Sequence, residues 1–569
     1  MYKLNPKLVK RSISLAKPYW FSEDKRKARW LTFLLMLLLV GDTQFQVLFN
    51  QQSGEFTSAL AAQEGTRFWH SIRVYFGWLV VAVPIYSCYY YVRDTLALGW
   101  RRWLTEQFLD RYFRHRGFYK LLANPDIDNP DQRIADDIYS YTQQSLSLML
   151  IFISAIFNLV AFGRVLWGIS TSLVLFLFLY AAVGTAVSFG VFGERLVTLN
   201  FFQRRREADF RFGLVRIREN AEAIALYHGE KQEKGQLSKV FGRLFNNATK
   251  IIQWTFRLNL FQYSNSLLTS VLPALIIAPR VLSGELEVGK VVQATGAFGA
   301  ILGSLTILVD NLDGLSRFAA GVGRLETLLH SLAPPKNGAG AEGKIITQED
   351  ENIAFDKVTL NTPNNERTLV KDLSFQVSPG EGLMIVGASG LGKSSLLRAM
   401  AGLWDSGGGT LRRPKAEDML FLPQHPYMIV GTLRSQLNYP NLTRTVSDDE
   451  LREVLELVNL SHLAERSGGL DADFEFDKIL STGERQRLAF ARVILSHPRY
   501  VLLDEATSAL DRENESALYE RLVQSSTTLV SVSHHPALVQ YHSQVLELKA
   551  DGEWDLHKAE QFRFTEELV

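Results

Sequence analysis

Long apolar runs alternate with charged segments over the first 330 residues. A bilayer crossing needs about 20 mostly apolar residues, and six runs meet that length: about 31–50, 73–93, 147–168, 171–193, 260–283 and 291–311. The first run is interrupted by GDTQFQ at 41–46, whose Asp and Gln side chains should face protein or water rather than lipid. The pattern predicts an all-α transmembrane domain of six helices over residues 1–330.

The pattern changes after the Pro-, Gly- and Ala-rich stretch APPKNGAGAEGK at 333–344. Short β-branched runs such as YVLLD and TLVSVS then alternate with helical stretches such as SSLLRAMAGLW. This alternation is typical of an α/β domain. We therefore predict a linker over residues 331–350 and a soluble α/β domain over residues 351–569.

Charged residues predict the orientation in the membrane. Residues 1–30 contain nine Lys or Arg and two acids, and the long segments 94–146 and 194–259 are also basic. By the positive-inside rule, both termini and both long segments are cytoplasmic. The net charge of +1 gives no reason to expect a nucleic-acid partner. The one cysteine, Cys88, excludes an intrachain disulfide and a cysteine-based metal site, and the N-terminal 30 residues do not resemble a signal peptide.

The sequence GASGLGKS, residues 387–394, fits the P-loop pattern between a strand-like run and a helical stretch. In this motif the glycines let backbone N–H groups surround phosphates at a helix N-terminus. Lys393 would reach the β- and γ-phosphates, and Ser394 would hold Mg²⁺. An ordinary glycine turn is the alternative, and the strand and helix on either side disfavour it. The predicted phosphate-binding residues are Gly387, Ala388, Ser389, Gly390, Leu391, Gly392, Lys393, Ser394 and Ser395.

A second strand, YVLLD, ends at Asp504 and is followed by Glu505. Asp504 suits a Walker-B role as a Mg²⁺ ligand, and Glu505 is placed to polarise an attacking water. Two acids at a strand end are also common in ordinary loops. The P-loop upstream at α/β spacing favours the catalytic interpretation.

LSTGERQR, residues 480–487, resembles the signature motif of ABC transporters, usually LSGGQ. Gln424 in FLPQHPYM looks like the Q-loop of this family, Ser508–Asp511 like its D-loop, and His534 like its switch histidine, whereas the adjacent His535 is expected to face solvent. The resemblance covers the whole chain. It implies six spans in an exporter-like, type IV fold, fused to one ATP-binding domain.

The family resemblance also implies ATP and Mg²⁺ as cofactors and a head-to-tail homodimer. Each ATP would lie between one P-loop and the other chain's signature. The implied roles are as follows: Glu505 positions water, His534 contacts the γ-phosphate, Gln424 joins Ser394 and Asp504 at Mg²⁺, and Ser481, Gly483 and Asp511 complete the nucleotide site.

Two positions depart from the general family pattern. The signature has Thr482 and Glu484 where Gly and Gln are usual, but neither change removes the backbone donor at Gly483. Thr362, followed by Pro363, stands where many relatives have an aromatic residue that stacks on adenine. Another side chain must therefore hold the base.

NPDQRIADDI, residues 129–138, and EADFRFGLVRIRENAEAIALYHG, residues 207–229, resemble the branch that includes peroxisomal subfamily D acyl-CoA transporters and bacterial SbmA/BacA-related proteins. This resemblance implies a half-transporter in a bacterial inner membrane that takes up bulky hydrophilic cargo, such as peptides or cobalamin. Export, fatty-acyl or lipid transport, and a non-transporting ATPase that gates a membrane protein are the alternatives.

Two further features have a structural and a functional interpretation. Asn129-Pro130 can form a turn that starts a helix, so the decapeptide is either a capped, solvated turn or a coupling element that docks on the ATP-binding domain. The resemblance favours coupling. Polar residues of the fifth span could line a wet cavity or pack between helices, and both remain open. They are Gln262, Ser264, Asn265, Ser266 and Ser270.

Overall fold

A computed structural model describes residues 6–122, 124, 127–310, 312–333, 343–363 and 366–564. The chain forms two compact units, Met1–Pro334 and Pro335–Val569. Residues 334–342, within the predicted linker, lie outside the described residues.

The first unit is built from helices. In chain order they are α1 Pro6–Ala16, α2 Lys25–Ala61, α3 Gly65–Phe113, α4 Gly117–Leu122, α5 Pro130–Gln132, α6 Ile138–Ile169, α7 Thr171–Val187, α8 Glu194–Glu219, α9 Ala221–Leu226, α10 Glu230–Leu282, α11 Gly289–Asp310 and α12 Leu312–Ser331. The π-helical turns Arg133–Asp137 and Ser188–Gly193 connect α5 to α6 and α7 to α8.

Six helices in the described part of the chain are long and apolar enough to cross a membrane, and each carries one of the predicted spans. They are Lys25–Ala61, Gly65–Leu122, Pro130–Ile169, Thr171–Glu219, Glu230–Leu282 and Gly289–Ile307. The six-span prediction is confirmed.

The interrupted first span is one continuous helix, α2. Its polar residues bond within the helix: Gln46 Nε2 donates to Asp42 Oδ2 (3.1 Å), and the buried Thr43 hydroxyl donates to the Leu39 carbonyl (3.1 Å). Helix α2 also packs closely on α11, where a Cβ added to Gly289 would lie 1.9 Å from the Gly54 carbonyl oxygen. Small residues permit such close approach between membrane helices.

The decapeptide begins the helix that becomes the third span. Asn129 adopts a left-handed conformation (φ 40°), Pro130 occupies the start of the helix, and Asp131 lies in the first turn. This arrangement is the predicted turn and helix start. Proline suits this position because the first helical N–H groups have no partner within the helix.

Two of the three charged residues that follow in the decapeptide, Arg133 and Asp137, are buried, whereas Asp136 is exposed. Arg133 is 5% exposed and donates to the Asp128 carboxylate (2.5 Å) and to the Arg324 carbonyl (3.0 Å). Arg324 forms two parallel bonds to the buried Asp137 carboxylate, at 2.7 and 2.5 Å. Such bidentate pairs fix both orientation and distance. The decapeptide is therefore fastened to α12, the helix that precedes the linker.

In the fifth span, the side chains of Ser264, Ser266 and Ser270 are exposed in the described single chain. Asn265 is partly buried, and its carbonyl oxygen accepts bonds from Tyr180 (3.2 Å) and Thr269 (2.8 Å). The three serines are therefore not enclosed by helices of their own chain.

The second unit contains twelve named strands in its described residues. They are β1 Ile346–Glu349, β2 Ile353–Asn361, β3 Thr368–Val377, β4 Leu383–Val386, β5 Gly407–Arg413, β6 Met419–Leu422, β7 Gly431–Thr432, β8 Asp473–Phe474, β9 Tyr500–Asp504, β10 Thr528–Val532, β11 Gln544–Leu548 and β12 Trp554–Lys558. The helices are α13 Lys393–Met400, α14 Leu433–Asn438, α15 Asp448–Leu457, α16 Leu463–Arg466, α17 Phe476–Ile479, α18 Thr482–Ser496 and α19 Arg512–Gln524.

The main sheet of this unit has the order β12-β11-β4-β10-β9-β6. All neighbouring pairs are parallel except β11 and β12. Strands β4, β9 and β10 are buried along their whole length because apolar residues cover both faces. A smaller sheet, β1-β5-β2-β3, shares one of the two apolar cores with the main sheet. The predicted α/β domain is therefore observed.

Candidate active site

The candidate site lies at the carboxyl edge of the main sheet. The P-loop follows β4, Gln424 follows β6, Glu505 follows β9, and His534 follows β10. In parallel strands these ends meet at one edge, where ligands of open α/β sheets bind. Asp504 is in register with Val532, so the two loops that follow them start side by side.

The P-loop connects β4 to α13. Gly387, Gly390 and Gly392 have φ values of 144°, 82° and 98°, which residues with a Cβ rarely adopt. Lys393 is buried, and its Nζ donates to the Gly387 and Ala388 carbonyls at 2.6 and 3.0 Å. Burial lowers the pKa of Lys393, and the negative charges of Glu505 and Asp504 partly offset this decrease. The ammonium group thus lies within the loop that would surround the phosphates.

Two predicted Mg²⁺ ligands lie together at the start of α13. The Ser394 hydroxyl donates to Asp504 Oδ1 at 2.8 Å. Burial raises the pKa of Asp504, and the Ser394 hydrogen bond opposes that change. A hydroxyl and a carboxylate at this distance are hard oxygen donors, the type that Mg²⁺ prefers beside phosphates. The residues present therefore fit the ion.

Two of the predicted catalytic side chains, those of Gln424 and His534, converge on the third, Glu505. Gln424 Nε2 donates to Glu505 Oε2 at 2.9 Å, and His534 Nε2 lies 3.6 Å from Glu505 Oε1. Glu505 itself has a positive φ of 48°. Non-glycine residues in this conformation cluster at functional sites. The structure thus brings the side chains of three loops to one carboxylate.

The signature forms a capping box at the start of α18. The Ser481 side chain accepts from the Glu484 backbone N–H, and Glu484 Oε2 accepts from the Ser481 backbone N–H at 2.8 Å. Glu484 Oε1 also accepts from Arg466 at 2.7 Å. Burial would raise the pKa of Glu484, but the bonds from Arg466 and Ser481 outweigh it and lower the pKa to about 2. Glu484, which stands where the family motif usually has Gln, is therefore part of a local ionic network.

The side chains of Asp511 and Thr362 accept hydrogen bonds from nearby backbone N–H groups. Asp511 caps α19 by accepting from the Asn514 N–H at 2.8 Å, and this bond lowers the pKa of Asp511. Thr362 closes the turn between β2 and β3, where its Oγ1 accepts from the Arg367 N–H at 3.1 Å. Thr362 therefore presents no ring for adenine.

The sequence analysis missed a partly buried network beside His534. His535, expected to face solvent, is 46% exposed at its side chain, but its Nδ1 lies 2.9 Å from the buried Glu515 carboxylate. Glu515 also accepts from Thr507 at 2.6 Å. Glu515 looks like a surface residue in the helical pattern, so the sequence carries no signal for this contact.

The comparisons with known proteins agree with this geometry. Residues 15–282 match the family "ABC transporter transmembrane region 2", and residues 370–508 match the family "ABC transporter". A Synechocystis protein named as an uncharacterized ABC transporter ATP-binding protein is 43% identical, over 96% of this chain and 85% of its own. The Arabidopsis thaliana "ABC transporter D family member 2, chloroplastic" is 36% identical, over 95% and 86%.

Two more matches cover nearly the full length. The mouse "Lysosomal cobalamin transporter ABCD4" is 32% identical, over 97% of each chain. The structure of a bacterial Atm1-family ABC exporter with ATP bound superposes with a TM-score of 0.72 at 19% identity, over 92% of this chain and 93% of that one. The fold and the sequence matches are those of an ATP-driven membrane transporter. The chain belongs to the ABC transporters, in the group that includes the D family, and it couples ATP hydrolysis to transport across a membrane.

Proposed function

We propose that the chain is one half of a homodimer with two equivalent ATP sites. Each site combines the P-loop, Asp504 and Glu505 of one chain with Ser481 and Gly483 of the other. The convergence of Gln424 and His534 on Glu505 carries this proposal, because one chain holds a single set of hydrolysis residues. A single set per chain requires two chains for a transporter of this type.

The residues at the sheet edge have distinct roles in ATP hydrolysis. Lys393 and the P-loop N–H groups bind the phosphates, and Glu505 orients the attacking water while His534 contacts the γ-phosphate. Ser394 and Asp504 would hold Mg²⁺ together with Gln424. The ion, when bound, neutralises charge that develops on the phosphates. Asp511 keeps the D-loop in place by capping α19.

Mixed dimers test the composite sites. Lys393→Ala removes the phosphate-binding ammonium group, and Ser481→Asp keeps a good helix cap while adding a negative charge beside the γ-phosphate. When the two changes are on different chains, one complete site remains. When both are on the same chain, paired with a wild-type chain, neither site is complete.

Differently tagged chains can be co-expressed and each mixed dimer purified by both tags. We expect the ATPase rate to be higher when the changes are on separate chains. The reverse ranking would mean that each site lies within one chain, and the head-to-tail dimer would be wrong. The two single-variant homodimers provide the zero-activity controls.

For the cargo, we propose uptake of bulky hydrophilic molecules, such as peptides or cobalamin, across a bacterial inner membrane. The cobalamin transporter among the relatives supports this class. The exposed hydroxyls of Ser264, Ser266 and Ser270 support a wet translocation path. The basic N-terminal segment and long loops favour cytoplasmic termini and a cytoplasmic ATP-binding unit.

Cells that lack other routes for labelled cobalamin test this proposal. Expression of the wild-type chain should raise intracellular label, and Glu505→Gln should abolish the increase. Equal accumulation with both chains would contradict ATP-driven uptake.

A further inference from the structure

One buried amide connects three loops of the ATP-binding unit. Gln486 lies near the end of the signature segment, on α18, and is 0% exposed. Its Nε2 donates to the Gln424 carbonyl of the Q-loop at 3.2 Å and reaches Ser508 Oγ at 3.4 Å. Its Oε1 accepts from the Ala509 N–H of the D-loop at 3.1 Å. The signature helix is thus bonded to both loops.

The chemistry of these contacts requires a glutamine. A backbone carbonyl only accepts and a backbone N–H only donates, so the side chain must supply one donor and one acceptor in a fixed orientation. A flipped Gln486 amide would place its NH₂ group against the Ala509 N–H and its oxygen against the Gln424 carbonyl, and neither pair can form a hydrogen bond. Methionine fills a similar volume but supplies neither bond, and an ionised glutamate cannot donate to the Gln424 carbonyl.

A second contact brings the signature against the D-loop. A Cβ added to Gly483 would lie 3.0 Å from the Ala509 carbonyl oxygen, so the backbones are nearly in contact there. Ala509 is therefore fixed from two sides, by Gly483 and by Gln486. The Q-loop residue bonded to Gln486, Gln424, is the one whose side chain holds Glu505.

We propose that Gln486 is a positioning residue that couples the two ATP sites of the dimer. In the composite arrangement, the signature of a chain contacts the ATP of one site, whereas Gln424 and Glu505 of that chain serve the other. A shift of the signature on ATP binding reaches the Q-loop and D-loop through Gln486 and aligns Glu505. This inference rests on the composite sites of the proposed function.

The test uses the full-length protein in nanodiscs and steady-state ATPase rates across ATP concentrations. Wild-type rates should depend on ATP with a Hill coefficient between 1 and 2, the limit for two sites. Gln486→Met should lower the Hill coefficient to 1, because the two sites are no longer coupled. It should lower kcat by about 10-fold, because Glu505 is no longer held in its productive position. The ATP concentration at half-maximal rate should change by less than about 3-fold, because the P-loop is untouched.

Tyr500→Phe is the matched control. It removes a buried hydroxyl that bonds the Glu351 carbonyl at 3.0 Å in the same unit, away from the three loops. We expect it to keep the wild-type Hill coefficient. If Gln486→Met also keeps it, or if its kcat falls only with the fraction of folded protein, the coupling role is wrong. A wild-type Hill coefficient of 1 would also overturn it.

Gln486→Glu gives a second, independent readout. When protonated, a carboxyl group supplies both a donor and an acceptor, and burial favours the protonated form. The rate of this variant relative to wild type should rise as the pH falls from 8 to 6, and a flat ratio would contradict the inference. Glu505→Gln distinguishes a failure of this inference from a failure of the proposed function. If Glu505→Gln keeps ATPase activity, the proposed ATP site itself is wrong.

Discussion

The ionic capping box of the signature predicts a stability that depends on pH. Glu484 has a pKa of about 2 in the folded chain against an ordinary value of 4.5. At 1.36 kcal/mol for each pKa unit, this difference corresponds to at most about 3 kcal/mol, and solvent screening of the partly exposed Arg466 reduces it. Because the folded-state pKa is the lower one, this stability is fully present above about pH 5.5 and is lost as the pH falls through 2.

Glu484→Gln tests the magnitude, since glutamine mimics the uncharged carboxyl and is the usual residue at this position of the family motif. Glutamine keeps neutral hydrogen bonds to Ser481 and loses the ionic bond to Arg466. We therefore expect a loss of about 2 kcal/mol at pH 7. For a unit of this size, that loss lowers the melting temperature by about 4–8 °C.

Calorimetric melting of the full-length protein at pH 7 and pH 3 measures the effect. At pH 3 the contribution of the carboxylate falls to about 1 kcal/mol, so the melting temperatures of wild type and variant should approach each other. Glu465→Gln, on the exposed side of α16, removes the same charge and should leave the melting temperature unchanged. An equal difference between wild type and Glu484→Gln at both pH values would refute the reasoning.

Three further predictions concern the membrane unit and the metal. Asp137→Asn breaks the bidentate pair with Arg324; we expect unchanged ATP binding but reduced stimulation of ATPase by cargo, and full stimulation would contradict a coupling role for the decapeptide. Gly289→Val should lower the melting temperature by several degrees, because its side chain meets backbone at 1.9 Å, whereas Gly77→Val, with open space at its Cβ, should not. Ser394→Ala should raise the Mg²⁺ concentration for half-maximal ATPase by about 10-fold or more, with little change in Mg²⁺-free ATP binding.

The sequence was sufficient for those features that depend on local spacing. Six spans follow from apolar length alone, and the P-loop, Asp504 and Glu505 follow from motifs that occupy fixed places after buried strands. The capping box could also have been predicted, since Ser481 and Glu484 have the Ser-x-x-Glu spacing of that motif.

Contacts between distant segments could not be predicted. The pair of Asp137 and Arg324 joins residues 187 positions apart, so the decapeptide looked like a solvated or docking turn, and its inward charges were not evident. Gln486 is bonded to residues 62 and 23 positions away, and its pattern in the sequence is that of any polar helical residue. Only the packing of the loops gives it a role.

Transport in sealed vesicles measures whether hydrolysis at Glu505 drives cargo inward, as we propose. Inside-out vesicles preloaded with labelled cobalamin or peptide should lose label when ATP is added outside, and Glu505→Gln vesicles should retain it. Right-side-out vesicles with ATP enclosed should accumulate label under the same control. ATP-dependent accumulation in inside-out vesicles would show export and would contradict the account.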